Sequence, residues 1–421
     1  VNGAYTQLPF AFSRFAQHTM ERCARNWYES GAVNDAVFNR VGTNVLLSGD
    51  AGTNWSSIYT TINSANLILK HTPEISFTNE ATRNEVMANA YFLRAYCYFT
   101  LVRVFGDCPL LTSGFESEKQ EDMYPSRTAA SEVYAQVETD IEEALRLMPA
   151  SSKLLHKASP AAINMLRTEY YLWKAKRLGG GNAALSTAQS SVDAVLKAGY
   201  ALLPAFADIF NLNNEANAEL IWTLPYIVNE NVTPGTSPNF FAYYLAPNGD
   251  RTRLREAGYT EDEVPAGSHA QYVVPTQAYC DFLAEDARDT RTDVSVRVFE
   301  DKFLTEEVQI KRMVVKFKGS FANDTRSFDS DVPVYRLAEA YLLKAEVENA
   351  LGNTDAALQN LNVVAKRAYG VDNYYTARTQ DAIDNAIISE ILKEFVAESK
   401  AWWAYLRFNK EFELIETLKG S

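Results

Sequence analysis

The segment from about Arg83 to Phe105 constrains the fold more than any other part of the chain. Val86, Ala90, Leu93, Cys97, Leu101 and Val104 recur at steps of three and four, which places them on one face of an α-helix. A second stripe, Tyr91, Ala95, Tyr98, Val102 and Phe105, covers another face of the same segment. A helix apolar on two faces has to be enclosed on most sides by other elements. Gly106 and Pro109 end it.

The next periodic run, Arg127 to Met148, carries Val133, Val137, Ile141, Ala144 and Met148 on one face and stops at Pro149, so the two helices form an antiparallel pair. Similar pairs are predicted at about Pro160 to Leu178 with Ala183 to Ala198, and at Val334 to Leu351 with Asn353 to Ala368. They turn at Gly179-Gly180-Gly181 and at Gly352. The last pair fits the helix-turn-helix period of a tetratricopeptide repeat, with small Ala345 and Ala357 where helices approach closely and Leu361 as a packing residue.

Two stretches break this pattern. From Leu220 to Ser330 short apolar runs are interrupted by Pro225, Pro234, Pro238, Pro247, Pro265 and Pro275, and from Asn26 to Trp55 glycines sit among polar residues. The expected fold is mostly α: a tetratricopeptide-like scaffold of helical pairs with long, irregular, loop-rich excursions and a few short strands. The expected organisation is one domain over 1–421, with helical pairs at about 83–148, 160–198 and 334–368 and a ligand-binding excursion at about 220–330. Long excursions kept on a regular scaffold point to recognition.

A net charge of −13 repels phosphate backbones, and no Lys/Arg run offsets it, so nucleic acid is excluded as a partner. Cys23, Cys97, Cys108 and Cys280 include no C-x-x-C pair and have no nearby histidine, which excludes a zinc-thiolate site and leaves a disulfide open. Cys97, on the apolar stripe, reads as a small buried residue. No apolar run is long enough to span a bilayer.

The chemistry-bearing motifs are absent. There is no G-x-S-x-G elbow, H-E-x-x-H pair, Walker A loop or EF-hand loop, and His18, His71, His156 and His269 are widely separated. Asp281, Glu285, Asp286, Asp289 and Asp293 interleave with Arg288 and Arg291, the pattern of an ion-paired face rather than of a catalytic carboxylate pair. Glu261-Asp262-Glu263 reads the same way, with weak calcium binding as its alternative. No catalytic residue, cofactor or metal is expected.

Trp55-Ser56-Ser57-Ile58-Tyr59 leads into Ile62-Asn63-Ser64-Ala65-Asn66, and Tyr91-Phe92-Leu93-Arg94-Ala95-Tyr96 precedes Arg103-Val104-Phe105-Gly106-Asp107-Cys108-Pro109-Leu110. These runs resemble the SusD/RagB family's tryptophan-tyrosine-asparagine helix, its F-L-R-A helix and its glycine-aspartate-x-proline turn. Glu394-Phe395-Val396-Ala397-Glu398 with Trp402-Trp403 and Arg407 resembles the family's C-terminal signature, although Ala401 and Ala404 stand where that signature carries Arg and Asp. Asn2-Gly3-Ala4-Tyr5 resembles a motif that in family precursors follows a signal peptide and a lipid-bearing cysteine.

The resemblance implies a non-catalytic, cell-surface binding lipoprotein of Bacteroidetes. Such a protein delivers oligosaccharide to a SusC-like TonB-dependent outer-membrane transporter and touches the membrane only through its lipid anchor. Trp55, Asn66, Arg94 and Trp402 would then be mainly scaffold. Sugars are held by aromatic rings stacked on C–H faces, with amides and carboxylates on the hydroxyls. The candidate ligand residues are therefore Trp27, Tyr28, Asp50 and Asn54 in the first excursion, and Tyr226, Tyr243, Tyr244, Tyr259 and Tyr272 in the second. The rivals are a RagB-like peptide carrier, a tetratricopeptide protein adaptor and an unrecognised hydrolase.

Overall fold

A computed structural model describes residues 1–9, 11–12, 28–30, 40, 43–45, 47–50, 53–117, 124–234, 245–246, 250–267, 271, 273–301, 309–415 and 418–419. The longer helices are α1 Ser56–His71, α2 Glu80–Phe105, α3 Ala130–Leu147, α4 Pro160–Arg177, α5 Gly181–Leu196, α6 Arg251–Glu256, α7 Gln277–Leu283, α8 Leu337–Ala350, α9 Thr354–Tyr369, α10 Gln380–Glu394 and α11 Ala401–Arg407. The pairs α2–α3, α4–α5 and α8–α9 pack side by side, and α8 also packs on α5 and α10, so the fold is a tetratricopeptide-like stack. Among the described residues no helix is long and apolar enough to cross a membrane.

Helix starts follow side-chain chemistry. Asn79 accepts the Ala81 N–H ahead of α2, and Ser159 accepts the Ala162 N–H ahead of α4, where Pro160 at the first position has no N–H to satisfy. The predicted start at Arg127 is corrected to Ala130. Asp107 Oδ1 accepts the Ala130 N–H at 2.8 Å, so the aspartate of the glycine-aspartate-x-proline turn caps α3 from the preceding connection. Both apolar stripes of α2 are covered along the helix middle, with Leu93, Cys97 and Leu101 of one and Ala95 and Tyr98 of the other fully buried.

The strands are β1 Tyr28–Ser30, β2 Leu220–Leu224, β3 Val273–Pro275, β4 Val296–Asp301, β5 Gln309–Val314, β6 Ser320–Ala322, β7 Thr325–Ser327 and β8 Val332–Arg336. They form antiparallel pairs β1–β3, β2–β8, β4–β5 and β6–β7. Here the predicted helix from Val334 is corrected. Pro333 lacks a backbone donor and its valine neighbours suit a pleated surface, so this stretch pairs with β2 and α8 begins only at Leu337. Trp222 packs on Tyr335 across this ladder at 5.8 Å and on Phe92 and Tyr96 of α2 at 4.8 and 4.9 Å, and so joins the excursion's base to the helical core.

The excursion has smaller apolar clusters of its own, one around Tyr28, Val273, Tyr279, Val296 and Val314 and one around Leu254, Val264, Phe299 and Met313. Cys97, Cys108 and Cys280 are buried free thiols, so none of them forms the disulfide the sequence left open, and Cys23 lies outside the described residues.

Candidate ligand-recognition face

The family-like motifs turn inward. Arg94 makes a two-pronged contact with Asp140 at 2.8 and 2.7 Å and donates to Asn66 Oδ1 at 2.8 Å, while Asn66 Nδ2 reaches the Leu111 carbonyl at 2.9 Å. Trp55 packs edge-on against Phe105 at 5.0 Å. At the other end of the chain, Arg336 is enclosed by Glu219, Glu394 and Glu398, and its guanidinium lies 4.2 Å from the Phe395 ring centroid. Lys316 joins the group through Glu398 at 2.6 Å, Arg367 through Glu394, and Arg291, which also pairs with Glu390 and Asp289 at 2.7 Å each, through Glu394 at 3.1 Å. Three guanidinium groups hold the Glu394 carboxyl well below the ordinary carboxylate range despite its burial. This ionic platform fastens the excursion, through Lys316, to α9, α10 and the turn before α11.

The outer part of the excursion is built differently. β6 and β7 are joined by Asn323-Asp324, both in the left-handed region at φ 50° and 57°, a two-residue hairpin turn whose twist matches the strands. Gly319 precedes β6 with φ +66°, and a Cβ there would lie 2.0 Å from the Ser327 carbonyl oxygen, so only glycine closes the hairpin base. Buried Arg326 ties the hairpin down, donating to the carbonyls of Ala266 at 2.9 Å and Lys318 at 2.8 Å and to Glu261 at 2.6 Å.

Around the Phe321 ring stand three guanidinium groups, Arg251 at 4.9 Å, Arg326 at 5.2 Å and Arg255 at 5.7 Å from the centroid. Glu261 accepts Arg251 Nε at 2.6 Å, Asp324 accepts Arg255 at 2.7 Å, and Lys318 lies 2.8 Å from Asp262. Arg255 and Asp324 are exposed and Phe321 is half-buried. Tyr259 leans on Phe299 at 5.6 Å and donates to the Glu300 carbonyl at 3.3 Å. Planar cations, carboxylates and partly exposed rings thus share one surface, the mixture that binds a polar ligand with C–H faces.

The sequence candidates fall into three groups. Tyr28 is buried against Tyr279 at 5.5 Å, Asp50 is buried and bound by Arg40 and the Leu47 N–H, and Tyr226 is buried with its hydroxyl 3.3 Å from the Pro9 carbonyl oxygen. These three serve the interior, because rings and carboxylates beneath a loop stabilise it by packing and pairing. Asn54 is exposed, its Oδ1 accepting the Ser56 N–H at the start of α1, and Tyr259 is half-buried. Trp27, Tyr243, Tyr244 and Tyr272 lie outside the described residues.

The acidic residues are committed elsewhere. Asp289 pairs with Arg291, Asp286 with Arg288, and Glu285 with Lys393, while Glu261 and Asp262 of the acidic triplet face Arg251, Arg326 and Lys318. Among the described residues no group of acidic, histidine or cysteine side chains is arranged to hold a metal ion. An open cleft of about 410 Å³ runs between α9 and the segment 372–378, but its charged side chains pair with each other, Asp355 with Arg378 and Lys366 with Asp372.

Arg251, Arg255 and Phe321 were not among the sequence candidates. The four-residue spacing of the two arginines puts them on one side of α6 and was legible. The approach of Phe321 from a hairpin far along the chain was not.

Comparison with known proteins bears on the whole chain. Residues 4–171 match a family described as starch-binding and associating with the outer membrane, and residues 277–419 match the SusD family. The chain belongs to the SusD family. Among the family's curated members, SusD-like protein P25 of Formosa agariphila is 25% identical, with 87% of this chain and 71% of that protein covered. A SusD superfamily protein from Bacteroides vulgatus superposes with a TM-score of 0.84 at 25% identity, covering 100% of this chain and 93% of that one. NanU of B. fragilis gives 0.82 at 24% identity over 99% and 89% of the two chains. The described residues therefore carry the SusD scaffold.

Proposed function

We propose that this protein is a non-catalytic, surface-exposed glycan-binding component of an outer-membrane uptake system, handing oligosaccharide to a SusC-like TonB-dependent transporter. A lipid anchor would hold it to the membrane. Membership of a family described as starch-binding and outer-membrane associated supports this reading. The observation that carries it is the division of labour in the excursion, whose base is locked into a buried ionic platform while exposed Arg255 and half-buried Phe321 and Tyr259 lie at the surface. Preorganised side chains on a rigid base lose little conformational freedom when a ligand arrives.

We assign ligand contact to this face together with Asn54, Trp27, Tyr243, Tyr244 and Tyr272, and withdraw Tyr28, Asp50 and Tyr226, whose side chains are occupied inside. An exposed sugar site returns much of its hydrogen-bond gain to water, so dissociation constants in the micromolar to millimolar range, about −8 to −4 kcal/mol, are expected. The test is calorimetric titration against plant, fungal and host glycans and mixed peptides, repeated with Arg255→Ala, Trp27→Ala and the Tyr243→Ala, Tyr244→Ala double variant. Saturable glycan binding weakened in these variants supports the assignment. Peptide binding without glycan binding overturns it, and release of product during incubation overturns the non-catalytic reading.

A further inference from the structure

The excursion leaves the scaffold along β2 and returns along β8, and one polar cluster lies where the two strands end. Beyond their last pair, Leu224 with Val332, the Asp331 carboxylate continues the ladder. Its Oδ1 accepts the Tyr226 backbone N–H at 3.0 Å and its Oδ2 lies 3.2 Å from the Thr223 hydroxyl. Two residues from outside the ladder close on the same point. His156 Nδ1 is 3.0 Å from Thr223 Oγ1 and 3.6 Å from Asp331 Oδ2, and Glu215 accepts the Asp331 backbone N–H at 3.0 Å. Asp329, which accepts both the N–H and the hydroxyl of Ser320, adds a further carboxylate on the returning segment.

The carboxylates of the ionic platform are matched by guanidinium groups. Among the described residues the only ionisable base at ion-pair distance is a half-exposed imidazole, so an ionised Asp331, itself largely buried, keeps an unmatched negative charge beside Glu215. A protonated Asp331 satisfies the same contacts without that charge. Its Oδ2–H donates to Thr223 Oγ1, the threonine hydroxyl donates to a neutral His156 Nδ1, and Oδ1 still accepts the Tyr226 N–H.

We propose that this cluster is a proton-locked clasp at the neck of the ligand-bearing excursion, tightening the turn from Tyr226 to Thr233 in acid and loosening it as the pH rises. The clasp stands on this geometry alone, and its bearing on uptake rests on the glycan-binding reading. Burial pushes the Asp331 carboxyl up to about 6 and raises Glu215, while burial lowers His156. A carboxyl whose pKa is higher closed than solvated takes up a proton on closing, so the closed form gains as the pH falls through that value. His156 works in the opposite direction and blunts the effect.

The test is amide hydrogen exchange at Tyr226 in the whole protein from pH 8 to pH 5, with protection corrected for the intrinsic rate. Protection is expected to begin rising near pH 6 and to be about tenfold higher, and still climbing, at pH 5. Asp331→Asn, a neutral mimic of the protonated acid, should hold protection high at every pH, and His156→Gln should steepen the wild-type trend. Flat or falling protection in acid, or an unchanged trend in Asp331→Asn, overturns the clasp. A working clasp in a protein silent to every glycan supports the clasp and counts only against the ligand reading.

Discussion

In the helical scaffold and its C-terminal platform, ionisable side chains are closed into matched sets inside the protein. Arg94 meets Asp140 and Asn66, Arg407 and Lys176 share Glu346, and Arg336 sits among Glu219, Glu394 and Glu398. On the outer excursion the same residue types stand at the surface, where Arg255 and Asp324 flank a half-buried phenylalanine. Charge in the first region specifies how helices dock, since an unmatched buried charge is far more costly than a matched one. Charge in the second is paired at the surface, where water competes for it and each pair is worth little. The family-like residues lie in the first region, which is why they describe the fold and not the ligand.

The comparison breaks most visibly if the platform is disturbed. Glu394→Ala leaves Arg336, Arg291 and Arg367 facing one another with less negative charge, and a loss of about 3–5 kcal/mol of stability is expected in denaturant unfolding. A loss below about 1 kcal/mol would mean that the platform adapts like a surface.

Glu339 sharpens the contrast within the scaffold. It pairs with Lys400 at 2.7 Å through Oε1, but its Oε2 has no hydrogen-bond partner among the described residues, and burial pushes its carboxyl up to about 7. The raised folded value means that this group stabilises the fold most below about pH 4.5 and that its contribution disappears as the pH rises through 7. Unfolding at pH 5 and pH 8 should show Glu339→Gln lacking a decline on the order of 1–3 kcal/mol present in the wild type. Neighbouring Glu169 shifts the other way despite its burial, because Lys400 and Arg103 hold it ionised and Tyr335 donates to it at 2.6 Å.

On the excursion the expected effects are smaller and of another kind. Arg255→Ala should leave stability within about 0.5 kcal/mol while weakening glycan binding about tenfold, roughly 1.4 kcal/mol, in the same titrations. Tyr226→Phe should do the reverse, removing one buried hydrogen bond at a stability cost of about 0.5–1.5 kcal/mol with affinity unchanged. Equal losses of binding in both variants would show that the division between interior and outward aromatics is drawn in the wrong place.

How far the sequence could be read follows the same division. Helical pairs announce themselves through periodicity, and α2, α4, α5 and α9 lie close to where the apolar spacing puts them. Pairing between distant segments has no such local signal. The strand Val332–Arg336 looked like the start of a helix because its partner, Leu220–Leu224, lies far away in the chain. Tyr28 and Tyr226 looked like ligand rings because a tyrosine among prolines and polar residues reads the same whether it faces water or plugs the base of a loop. Phe321 gave no hint of its three arginines, which come from α6 and from β7.

By itself the sequence determined the helical architecture, through apolar periodicity and its breakers, and the family, through the motifs at 55–66, 91–110 and 394–407. Only the tertiary structure decided which polar and aromatic residues of the excursion are interior and which face outward. Burial in an irregular region depends on long-range packing, and no local pattern of residues encodes it.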